Sequence, residues 1–175
     1  MQLSAALYNT FSRGWFDQCN TLQNIAEMAT DANSKKSTDY LLGYLRGGTS
    51  SRTGYFLQNI YSNQSALENQ LISPEIKQSL NTYTSAESDY LEQLGNRLKT
   101  DNRIPQEETF QSNTKKLAEL APSLNIRTSD LRKETQAKAF QENLEKATQL
   151  MKAAFPQSNS TGAFAPSDNI IILPG

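Results

Sequence analysis

The chain contains no valine, and three of its isoleucines stand together at 170–172. β-branched apolar side chains are the usual material of strands, since they pack well on a pleated surface and lose χ1 freedom in a helix. Over most of its length this chain therefore has little from which to build a sheet. Its apolar residues recur instead at steps of three and four: Leu7, Phe11, Trp15, Cys19, Leu22, Ile25 and Ala29. Such steps mark one face of an α-helix, predicted over about residues 2–30. Gly14 interrupts it at a modest propensity cost, and Asp31 to Ser34 end it.

The same reading continues downstream. A short helix capped by Ser37 or Thr38 turns Tyr40, Leu41, Tyr44 and Leu45 to its apolar side, and Gly47-Gly48 stops it. Phe56, Ile60, Leu67 and Leu71 mark a third helix over about 53–72. Ser73-Pro74-Glu75 then combines an N-capping hydroxyl, a proline in the first turn and an early acid. It opens a fourth helix to about Leu98, striped by Ile76, Leu80, Tyr83, Glu87, Tyr90 or Leu91, Leu94 and Leu98. Asp101-Asn102-Arg103 breaks that helix. Pro105 starts a fifth through Leu120, anchored by Phe110 and Leu117, and Pro122 stops it. Thr128 or Ser129 caps a last helix over about 129–155, with Leu131, Phe140, Leu144, Ala147, Met151 and Ala154 inward.

Short connections between striped helices predict an all-α fold, an elongated antiparallel helical bundle of about five to six helices. The longest helices would run about 40 Å at 1.5 Å per residue, well beyond the radius of gyration of about 16 Å for a compact chain of this length. The bundle is assigned to residues 1–155 and an extended C-terminal arm to 156–175. The arm changes character at Pro156: small polar residues to Gly162, then Phe164, then the apolar run Ile170, Ile171, Ile172 and Leu173. A terminal strand-prone run of this kind either folds back on its own bundle or docks on a neighbour. Phe164, Ile170, Ile171, Ile172 and Leu173 are accordingly the expected partner-binding residues.

Chemistry is restricted by what is missing. There is no histidine, which removes Ser-His-Asp and Cys-His nucleophile activation and imidazole metal ligands. Glu87 alone puts a carboxylate into an apolar stripe, and is expected to be partly exposed or paired. The groups Glu87, Asp89, Glu92 and Glu134, Glu142, Glu145 cannot complete the Glu-x-x-His pattern of bundle di-metal sites. Arg46 to Arg52 lacks the GK[ST] ending of a phosphate loop and follows no strand. Ser112-x-x-Lys115 has none of the companion motifs of serine acyl enzymes. Cys19, the one cysteine, sits at a core position of the first helix, where a thiol acts as a small hydrophobe. No catalytic, cofactor-binding or metal-binding residue is assigned.

A net charge of -1 draws the chain to neither nucleic acid nor an anionic surface. The aromatics of the N-terminal half, with Arg46 and Arg52 nearby, are therefore read as packing and interface residues. No apolar run approaches the ~18 residues of a membrane span, and Met1 to Trp15 does not form a secretory signal. Synthesis in the cytoplasm, with incorporation into an assembly, is the expected course. The expected function is that of a non-enzymatic structural protein without cofactor. It would form homo- or hetero-oligomers, or dock into a larger virion- or secretion-type assembly, with the arm on a neighbour. A helical adaptor, chaperone or secreted effector acting on one protein partner is the alternative.

Overall fold

A computed structural model describes residues 2–30, 38–47, 73–127 and 129–156, with the side chains of the first helix described from Ser12 onward. Five α-helices lie among them: α1 (Gln2–Thr30), α2 (38–47), α3 (Pro74–Asp101), α4 (Glu108–Leu120) and α5 (Glu134–Ala154). No strand occurs among the described residues. The fold is an all-α helical bundle. The helix expected at 53–72 and the arm beyond Pro156 lie outside the described residues.

Side-chain contacts fix the direction of every helix. Trp15 meets Tyr83 with ring centroids 5.4 Å apart, and Gln18 bonds Glu87, so α1 and α3 run the same way. Phe140, early in α5, lies against Trp15 at 5.7 Å, while Phe155 just beyond its end reaches Tyr90 at 5.6 Å. Hence α5 runs with α3. α4 runs against all three, since Gln111 near its start bonds Ala29 at the far end of α1. α2 also runs down, its Thr38 at Asn102 past the end of α3 and its Tyr44 at Asn24. The described helices, taken in order, thus alternate in direction, and α3 and α5 become parallel neighbours.

Each boundary has a local cause. At the start of α3 the Ser73 hydroxyl accepts from the Ile76 amide at 3.3 Å, and Pro74 follows it. Its end is Asn102 at φ 47°, a left-handed position that asparagine tolerates better than most residues. The expected starts of the last two helices are corrected. α4 begins at Glu108, because the Pro105 carbonyl accepts instead from the Gln111 side chain at 2.6 Å. α5 begins at Glu134, because the chain first makes a 3-10 turn, Asp130–Arg132, that tucks Leu131 into the core. Tyr40, expected on an apolar side, is 51% exposed; only Leu41 and Leu45 of α2 are buried.

The core is one continuous cluster. α3 contributes the whole expected stripe, from Ile76 to Leu98, and α5 contributes Phe140, Leu144, Ala147, Met151 and Ala154. Aromatics concentrate at two levels, Trp15, Tyr83 and Phe140 at one and Tyr90, Phe110 and Phe155 at the other. Leu94, wholly buried in α3, is central to this packing. Leu94→Ala should lower unfolding free energy by about 2–5 kcal/mol, whereas exposed Glu92→Ala should stay within about 0.5 kcal/mol. Urea denaturation of the two variants checks this, and equal effects would refute the assigned core.

Candidate functional site

The candidate site lies between the two aromatic levels, where α1 and α3 face each other. The heptad stripe of α3 places Glu87 inward one turn after Tyr83, and the stripe of α1 places Gln18 and Cys19 one turn after Trp15. Glu87 is 2% exposed and Gln18 4%. The Gln18 side-chain amide Nε2 donates to Glu87 Oε2. The sequence therefore located this residue on the inner face. Its burial is complete rather than partial, and its partner is a neutral amide.

Burial dominates the electrostatics. It pushes the Glu87 carboxyl from 4.5 up to about 8, against a smaller downward pull from the Gln18 hydrogen bond. At neutral pH the group is mostly protonated, as expected for a carboxyl in an apolar environment with no cation beside it among the described residues. Burial also raises the Cys19 thiol and the Tyr83 phenol, and the neighbouring Glu87 adds to both. Cys19 is a buried, inert thiol, and its raised pKa is opposite to that of a reactive cysteine.

Polar satisfaction in this cluster is incomplete. The Tyr83 hydroxyl and the Gln18 Oε1 are buried with no hydrogen-bond partner among the described residues. A protonated carboxyl carries one donor and an amide oxygen accepts, so the groups needed to satisfy each other lie within one cluster. Chemically, it stores one proton in the core and fixes the register of α1 on α3. One turn further along α3, by contrast, Tyr90 pairs its hydroxyl with Thr114 of α4 at 3.1 Å.

A concavity of about 650 Å³ opens at the end of the bundle between α3, α4 and the last residues of α5. Phe110 and Phe155 form its floor, and Arg97 crosses it to Asp101 at 3.5 Å and Glu107 at 3.7 Å. Both pairs are exposed, a setting in which ion pairs contribute about 1 kcal/mol or less. Pro156 stands on its rim. The expected partner-binding residues Phe164, Ile170, Ile171, Ile172 and Leu173 lie outside the described residues. Among the described residues no three His, Cys, Asp or Glu side chains gather as a metal site, and no helix is long and apolar enough to cross a membrane.

No family model, curated protein or solved structure matches this chain. Its function has to be argued from its own residues. For the polar cluster, Tyr83→Phe should be neutral or stabilising by up to about 1 kcal/mol, because it removes a buried hydroxyl that has no partner among the described residues. Tyr90→Phe should cost about 1 kcal/mol, because it breaks the bond to Thr114. Denaturation midpoints at unchanged slope rank the two, and the reverse order would show that the Tyr83 hydroxyl has a partner.

Proposed function

We propose that this protein is a non-enzymatic assembly component, a helical body whose C-terminal arm contacts a neighbouring protein, either a second copy or another subunit of a larger complex. The observation that carries this reading is the position of Phe155. It packs on Phe110 at 5.1 Å and on Tyr90 at 5.6 Å, with 9% exposure. Phe155 is thus committed to the core one residue before the arm begins. Ile170 to Leu173 then form an apolar run, and a terminal run of that kind is characteristic of an interaction segment. Pro156, on the rim of the end cleft, starts the arm at the surface.

Exposed aromatics favour a second reading. Phe16 on α1 is 46% exposed and Tyr40 on α2 is 51% exposed, and aromatics are enriched where proteins meet. A helical adaptor would use such residues on the body rather than the arm.

Absolute mass by light scattering after size exclusion, over a range of concentrations, separates the two. The assembly reading expects the full chain to exceed 19.5 kDa in a concentration-dependent way. Deleting 157–175, or Ile171→Asp, should return it to a monomer with unchanged helicity by circular dichroism. A monomer at every concentration would sink self-association through the arm. An oligomer that survives the deletion would move the contact to the body.

A further inference from the structure

The seam between α1 and α3 is built differently from the α1–α4, α4–α5 and α3–α5 seams. α1 lies close along α4, α4 along α5 and α5 along α3, backbone near backbone. α1 reaches α3 through long side chains instead, Trp15 against Tyr83 and Gln18 onto Glu87. Two titratable groups beside Glu87 are raised further by its charge, Tyr83 of α3 and Cys19 of α1. The other helices turn apolar or hydroxyl-bearing residues inward: Leu41 and Leu45 from α2, Thr114 and Leu117 from α4, Leu144 and Thr148 from α5. A carboxylate formed at Glu87 would meet no described cation there.

We propose that the proton on Glu87 is a latch on the α1–α3 seam: the neutral carboxyl keeps it closed, and loss of the proton lets it open while α1 stays on α4. Opening brings water to Glu87, Gln18 and Cys19 and uncovers an edge of Trp15. This stands independently of the arm.

The direction follows from linkage. The closed state holds its proton up to about pH 8, whereas a solvated glutamate gives it up near 4.5. Between those values the closed state binds the proton and the open state does not. Each pH unit in that window therefore multiplies the opening constant by about ten. Below the window the latch tightens no further, and above it no further loosening occurs.

Cys19, the chain's single cysteine, reports the opening directly. Its rate of labelling by a maleimide would be measured from about pH 5 to about pH 8.5, the window set by the linkage. Each rate would be divided by that of the urea-unfolded chain at the same pH, to remove the reactivity of the thiolate itself. The wild-type ratio should climb about tenfold per pH unit and level off near the top of the range. Glu87→Gln, which cannot titrate, should give a flat ratio. Glu87→Met, of similar length and apolar, should do the same and serves if the glutamine variant does not fold. A flat wild-type ratio, or variants that climb in parallel with it, would overturn the latch. The urea dependence of labelling gives a second criterion: it should be clearly shallower than that of global unfolding. Equal slopes would mean that the whole bundle opens, and would overturn it as well.

Discussion

The arrangement of this bundle depends on where one indole goes. Trp15 is wholly buried, and a buried indole N–H has to find an acceptor. It finds the carbonyl of Leu124 at 2.7 Å, in the 3-10 turn that follows α4. The ring itself lies edge-on to Phe140 and tilted on Tyr83. One side chain thus fixes α1 relative to α3, α5 and the turn leading out of α4. The polar atom can be satisfied only if that turn presents its carbonyl inward, so the ring packing and the turn geometry require each other.

Much of the bundle was legible from spacing alone. The α3 stripe was read from Ile76 to Leu98 without error, and its two ends were visible in Ser73-Pro74 and Asp101-Asn102, because capping is local chemistry. The starts of α4 and α5 were misread for the opposite reason. Pro105 and Ser129 both resemble helix openings, but the first is held by Gln111 reaching back, and the second precedes a turn whose purpose is to bury Leu131. Those choices belong to tertiary packing. Tyr40 is a similar case, since an i, i+4 pattern on a short helix leaves room for two rows and the core uses the row of Leu41 and Leu45.

The seam cluster was half legible. A lone acid within a leucine and tyrosine stripe is a conspicuous signal, and Glu87 was singled out by it. Its partner was not, because Gln18 belongs to no motif and meets Glu87 only through the register of two helices 69 residues apart. A buried polar pair of this kind contributes little net stability and can instead define alignment. Sliding α1 by one turn would leave both groups buried and unpaired, so the pair penalises wrong registers more than it strengthens the right one.

Gln111 has a further consequence, for the order in which the protein can form. Its side-chain amide donates both to Pro105, six residues away, and to Ala29, 82 residues away. The second bond satisfies one of the last carbonyls of α1, which a helix cannot satisfy within itself. During synthesis α1 emerges first, yet its terminal cap and the acceptor for its indole are both made after residue 110. The first helix to be made therefore waits for chain 82 and 109 residues further on before these two polar groups are satisfied.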